Sequence, residues 1–316
     1  MTPVSEIVVN PRSGDGKALE AAREIEWQLV ARGHRTTLRM FSTLEEAKRW
    51  ARRHDGSFSY LFCVGGDSTL SGVASASVRH GVPFIPVPFG FGNLFGRTFG
   101  HSPDPRAAVR LLDEGVVQWT DVGISNGDVF LSHKSFGFIE EVQVAVESAP
   151  AMPSGRIRRA LSYLRTGLRA FRDLALPRIR VEADGHCLAS AATLVSVANV
   201  PTYRGVLELA PDATPVDGLL DVVVVPRMPK RRLLALLLGF VLRVPWRWEH
   251  VLKTRARHVT VKIGPRGPRE ELRVLRQALP VLAPPQSVAT LEPESAEVGG
   301  AAEPTDHREP SSQRAA

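Results

Sequence analysis

The segment Val64-Gly65-Gly66-Asp67-Ser68-Thr69-Leu70 combines residue types that can handle phosphate. Two consecutive glycines let the backbone approach an anion closely and reach positive φ. A helix starting directly after them would aim free N–H groups at that anion. Asp67 adds a carboxylate that can act through Mg²⁺ or toward a nucleophile. Taken alone, a Gly-Gly-Asp triplet is more commonly a tight turn with a helix-capping Asp. Two more loops strengthen the phosphate reading: Asn10-Pro11-Arg12-Ser13-Gly14 and Pro88-Phe89-Gly90-Phe91-Gly92-Asn93 also follow apolar runs. None of the three has the GK[ST] ending of a Walker loop, and none matches GxGxxG.

The elements that would position these loops alternate. Ile7–Val9 reads as a strand, Lys17–Ala31 as a helix ending at Gly33, Thr37–Phe41 as a strand and Leu44–Arg53 as a helix. Tyr60–Val64 is a continuous apolar strand of the kind covered on both faces. Leu70–His80 reads as a helix and Val82–Val87 as a strand. This order predicts an α/β, doubly wound N-terminal nucleotide-binding domain over 1–122, with all three loops at the C-terminal edge of a parallel sheet.

The pattern changes near Asp121. Strand-like runs at 129–131, 178–181, 192–197, 220–225 and 259–261 predict a mainly antiparallel, β-rich second domain over 123–285. Helical patterns interrupt it near 156–173 and 230–243. The first of these sets Ile157, Leu161, Leu164, Leu168 and Phe171 among six arginines, and Trp246-Arg247-Trp248 follows the second. Such stretches are either a solvated face over a packed stripe or a surface lying on anionic lipid. From Gln286 to Ala316 the composition lacks apolar periodicity, so 286–316 reads as a disordered tail.

The formal net charge of +7 calls for an anionic partner. Two cysteines argue against a disulfide scaffold, and the nine histidines show no metal-ligand spacing. No base-stacking platform is evident, so nucleic acid is not an expected partner. No basic segment followed by a long apolar stretch opens the chain, and its longest apolar run is too short to span a bilayer. The expected location is cytoplasmic, either free or peripheral at the inner membrane surface.

The three loops, in this order, resemble the NPxSG, GGDGT and PxGTxND patterns of the diacylglycerol kinase catalytic-domain family, which includes bacterial lipid kinases and sphingosine kinases. Ala210-Pro211-Asp212-Ala213 and Asp217-Gly218-Leu219-Leu220-Asp221 resemble its PxAxxDDGxLD stretch. The resemblance implies ATP as phosphate donor, Mg²⁺ as cofactor and a lipid hydroxyl such as that of diacylglycerol as acceptor. It implies nucleotide contacts from Asn10, Gly14, Ser42 (or Thr43), Gly65, Gly66, Asp67, Ser68, Thr69, Gly90, Gly92 and Asn93. It implies a Mg²⁺ site at Asp217, completed by Thr214 and Leu219. Asp67 is the catalytic candidate.

The chain departs from the family at several places. Ser68 replaces a glycine, Gly72 a glutamate, Phe91 a threonine, Leu94 an aspartate and Ile139 a further aspartate. The late DGE, whose Glu serves the family as general base, is not recognisable, which leaves Glu140, Glu270 and Glu271 as substitutes. Two other readings therefore stay open: a catalytically weak or inactive relative that binds nucleotide or lipid, and a soluble NAD kinase-like enzyme, since NAD kinases share a GGDGT loop.

Overall fold

The computed structural model describes residues 2–90, 92–137, 178–201, 210–229, 232 and 251–291. In its first third, β1 (Val4–Val9), β2 (Arg35–Met40), β3 (Tyr60–Gly65) and β4 (Phe84–Pro88) form a parallel sheet in the order β2-β1-β3-β4. The crossovers are α1 (Lys17–Ala31), α2 (Leu44–Arg53) and α3 (Asp67–His80). Alternate strand residues enter opposite cores. Val8, Leu61, Cys63 and Phe84 pack with Ala47, Ala51, Leu70 and Val73 of α2 and α3. Ile7, Val9, Phe62, Val64 and Ile85 pack on the other face with Ile25 and Leu29 of α1. Burial on both faces explains why these strands read as apolar runs.

Local chemistry sets the helix ends. Thr43 and Glu46 form a reciprocal capping box at the start of α2. Its last carbonyls, at Ala51 and Arg52, accept hydrogen bonds from the Arg79 guanidinium of α3. Gly81, at φ 64°, ends α3 in the left-handed conformation. Two further helices, α4 (Leu94–Thr98) and α5 (Pro105–Glu114), follow β4, and α5 starts with an Asp104 cap and proline in its first turn.

The second part is antiparallel. It contains β5 (Val116–Ser125), β6 (Asp128–Phe130), β7 (His133–Gly137), β8 (Ile179–Ala183) and β9 (His186–Ala198). It continues with β10 (Leu220–Pro226), β11 (Leu252–Ala256), β12 (His258–Ile263) and β13 (Arg269–Ala283). The order is β11-β10-β9-β8-β12-β13, with β7 also on β9. Its own core gathers Phe136, Ile179, Val195, Leu220, Val222, Val259 and Leu272.

Two strands join the halves. The first part of β13 pairs with β12, and a bulge between Leu275 and Leu279 then redirects it, with Gln277 at φ 45°. Beyond the bulge Val281 pairs with Phe84 of β4 in parallel. β5 runs antiparallel along both parts of β13. Leu279, Val281 and Ala283 thereby enter the core of the N-terminal sheet. The expected boundary at 122/123 falls inside β5, and the N-terminal sheet is completed by residues from the far end of the chain.

The segment beginning at 286 also differs from expectation. α6 (Pro285–Leu291) follows β13, and Val288 packs against the N-terminal core. A short helix with one apolar anchor offers too little periodicity to stand out in sequence. The amphipathic pattern at 156–173, and that at 230–243 apart from Arg232, lie outside the described residues, as does Trp246-Arg247-Trp248. Deleting residues 286–316 should lower the melting temperature by a few degrees relative to deleting 292–316, since the Val288 contact is worth about 1 kcal/mol. Paired thermal melts of the two truncations check this, and identical curves would show that α6 contributes nothing.

Candidate functional site

The three glycine-bearing loops meet at the C-terminal ends of β1, β3 and β4. The Asn10 N–H donates to the Val64 carbonyl at 3.1 Å, and the Phe89 N–H to the Gly65 carbonyl at 2.8 Å. The Asn10 side chain accepts from the Arg12 N–H at 3.0 Å and reaches the Thr69 hydroxyl at 3.4 Å. Gly14 sits at φ 61°, and a Cβ there would lie 2.7 Å from the Phe89 ring. Gly66 and Gly90 bring two backbones together: a Cβ on Gly90 would lie 2.6 Å from the Gly66 Cα. Asn93, left-handed at φ 52°, accepts from the Gly90 N–H at 2.5 Å and so folds the third loop back on itself. Gly92 and Thr69 are buried, and Ser68 is exposed in the first turn of α3.

Among the expected nucleotide contacts, Ser42 is exposed at the end of β2, and its N–H donates to Glu46 at 3.2 Å. Thr43 is committed to capping α2. The N-cap of α3 is Gly66, which offers no side-chain cap, so the first-turn amides of that helix keep an anion-binding character.

Asp67 does more than its motif implied. One carboxylate oxygen accepts the Leu94 N–H at 3.1 Å. The other accepts the Phe95 N–H at 3.1 Å and the Ser132 hydroxyl at 3.1 Å. The side chain therefore caps α4 and ties the nucleotide-type loop to the β6–β7 connection. Leu94, where the family pattern has an acid, contributes a backbone donor to this arrangement. Asp67 therefore has a structural role beside any it plays toward phosphate.

A second cluster lies in the 210–219 loop. The Asp217 carboxylate accepts the Leu219 N–H at 2.9 Å through one oxygen. Its other oxygen is buried without a hydrogen-bond partner, as is the Thr214 hydroxyl. Arg255 lies 3.7 Å from Asp217 and 3.8 Å from Asp221. Burial pushes Asp217 up, against the pull of the Leu219 N–H and Arg255. Burial also pushes Asp221 up to about 6, with Arg255 opposing and Asp217 and Asp212 adding to the effect.

Asp121, Ser132 and Asn199 lie outside every motif above, yet they connect the clusters. Asp121 is 1% exposed. Its carboxylate accepts the Gly218 N–H at 2.6 Å and the Gln277 N–H at 2.7 Å, pinning the 210–219 loop and the β13 bulge. The Asn199 side chain donates to the carbonyls of Asp121 at 3.1 Å and Leu131 at 3.0 Å, and its N–H to the Ser132 carbonyl at 2.8 Å. An isolated acid within an apolar strand must find partners when buried. That was the signal available in Thr120-Asp121-Val122.

The substitute bases are engaged elsewhere. Glu270 accepts from the Ser125 hydroxyl at 2.7 Å and lies 3.7 Å from Lys134. Glu271 is exposed and paired with Arg269 at 3.1 Å. Glu140 lies outside the described residues. No described contact brings Glu270 or Glu271 to Asp67.

Three outcomes follow. D67A should destabilise the fold by about 1–3 kcal/mol in urea or thermal unfolding, because it strands two α4 amides and Ser132. G90A should force the second and third loops apart at Gly66, costing a similar amount and weakening nucleotide binding at least tenfold in calorimetric titration. Asp221 binds its proton more tightly folded than unfolded, so its contribution makes stability fall as pH rises from 3.8 to about 6. D221N should flatten that slope and gain on the wild type across the same window in melts at stepped pH.

A diacylglycerol kinase catalytic domain is matched over residues 6–124, and a YegS C-terminal NAD kinase beta sandwich-like domain over 137–275. A probable lipid kinase YegS-like protein of Pseudomonas aeruginosa is 33% identical over 174 residues, 54% of this chain and 55% of that one. The chain thus spans about half the length of that relative. A diacylglycerol kinase of Staphylococcus saprophyticus is 24% identical over 263 residues, 82% of this chain and 83% of that one. The crystal structure of a diacylglycerol kinase from Bacillus anthracis shares the fold, with a TM-score of 0.63 at 16% identity over 90% of this chain and 98% of that one. The two matches follow one another in order, so the chain carries a diacylglycerol kinase catalytic domain followed by a YegS C-terminal-type domain.

Proposed function

We propose that this protein is an ATP-dependent lipid kinase that transfers a phosphoryl group to a lipid hydroxyl of the diacylglycerol type. The convergence of Asn10–Gly14, Gly65–Thr69 and Gly90–Asn93 at one sheet edge carries the reading, because Gly66 and Gly90 leave a close-packed backbone surface beside the α3 amides. Phosphoryl transfer demands positioning and charge neutralisation more than covalent chemistry. The backbone of 65–69 would hold the nucleotide phosphates, and Asp67 would keep the surface in shape through α4 and Ser132.

The buried oxygens of Thr214 and Asp217 that lack a hydrogen bond are hard donors of the kind Mg²⁺ takes, with Arg255 3.7 Å from the Asp217 oxygen. They fit a cation site completed by the Leu219 backbone, and bound Mg²⁺ would supply positive charge to the phosphates. The acceptor lipid would be met at a membrane surface. No helix among the described residues is long and apolar enough to cross one.

A second reading, a nucleotide-binding relative with weak catalysis, is favoured by a specific observation. Both Asp67 oxygens are occupied, and Glu270 and Glu271 are paired away from it. A missing positioned base costs about 10²–10⁴ in rate. The deciding experiment incubates the purified protein with labelled ATP, Mg²⁺ and a lipid panel, beside calorimetric titration with an ATP analogue. Nucleotide binding with labelled lipid product supports the kinase, and binding with a slow or undetectable product supports the second reading. Absence of nucleotide binding would overturn both.

A further inference from the structure

β2 is the outer strand of the parallel sheet, and beside it lies a cleft that the loops above do not use. Its volume is about 440 Å³, and it is formed between Arg39 of β2, Phe41 just beyond that strand, and one flank of α2. On that flank Arg49, Trp50 and Arg53 recur at helical spacing. Ala47 and Ala51 of the same helix enter the core, and Trp50 and Phe41 pack against that core from the cleft side.

The floor is aromatic: the Trp50 ring is tilted against Phe41 at 5.8 Å and against His54 at 5.0 Å, ring centre to ring centre. The indole Nε1–H of Trp50 is buried and has no hydrogen-bond partner. The rim is cationic. Arg39 is tied to buried Glu6, whereas neither Arg49 nor Arg53 has an ion pair among the described residues. Glu46, the carboxylate at the mouth, is turned to the Ser42 and Thr43 amides. Two guanidiniums without ion pairs among the described residues line the same cleft as Phe41 and Trp50, and together they form a site for an oxyanion attached to an apolar or planar body. Guanidinium forks match phosphate bidentately, and buried polar groups ordinarily have partners.

We infer that this cleft is a second anion-binding site, taking a phosphate-bearing ligand between Arg49 and Arg53 with its apolar part against Trp50. The ligand chemistry is that of a phosphate ester, supplied either by a phospholipid headgroup or by a soluble ester. The inference does not depend on the three glycine loops, which lie at the ends of other strands; of the expected nucleotide contacts, Ser42 adjoins the cleft through its bond to Glu46.

The test uses the full chain labelled with ¹⁵N at its tryptophan indoles, of which there are five. W50F identifies the Trp50 signal. Phenyl phosphate should shift that signal saturably while leaving the other four in place, and R49Q/R53Q should weaken the apparent affinity at least tenfold. R49K/R53K, which keeps the charge but not the fork, should stay folded and bind more weakly than the wild type yet more tightly than R49Q/R53Q. It guards against a folding defect, as do the four unshifted signals. Flotation with phosphatidic acid in phosphatidylcholine vesicles separates the sources. A loss of flotation in R49Q/R53Q supports the headgroup, and unchanged flotation beside lost phenyl phosphate binding supports the soluble ester. A Trp50 signal unmoved by either probe, or moved equally in wild type and R49Q/R53Q, would overturn the inference.

Discussion

The continuity of β5 and β13 through both halves is the constraint on which the rest of the molecule depends. A parallel sheet ending at β4 would expose unpaired backbone and the apolar face under α3. β13 covers that edge with Leu279, Val281 and Ala283, and the same strand forms part of the antiparallel half. The change of direction requires a bulge, and the bulge leaves Gln277 with a backbone N–H to satisfy. Asp121 satisfies it and in the same step holds Gly218. The loop that presents Thr214 and Asp217 is thus placed by the device that lets one strand serve two cores.

Electrostatics in the two clusters differ in kind. Asp67 is met by three hydrogen-bond donors and holds the loops in place. Asp217 and Asp221 are held among like charges and partial burial, with one arginine between them. The first arrangement lowers the energy of the fold and limits what its carboxylate is free to do. The second raises the energy of two ionised acids, and a cation would relieve it.

Much of the N-terminal half was legible in the sequence because β1, β3 and β4 are buried on both faces and its helices keep an apolar periodicity. Lys17–Ala31 and Leu44–Arg53 match their periodicity to the residue. β13 was not legible: Arg269–Arg276 alternates charges on an exposed strand, and the bulge breaks the register before the apolar residues begin. β5 was hidden for a related reason, since its first residues are exposed apolar ones and its only acid is buried. The glycine loops were readable because their backbone demands admit few residues. The Asp67 clamp was not, because its donors, Leu94, Phe95 and Ser132, are distant in sequence and two of them act through backbone alone.

The late position of β13 has a consequence for synthesis. Strands β1 to β4 leave the ribosome as a sheet whose β4 edge has no neighbour until residues near 281 emerge, some 200 positions after Phe84. Through that interval a run of buried-type side chains and unpaired amides is open to solvent, and the contact that closes it is among the longest in sequence separation in the chain. Closure of this kind is slow, and the partly built sheet is the species that a chaperone or another nascent chain would meet.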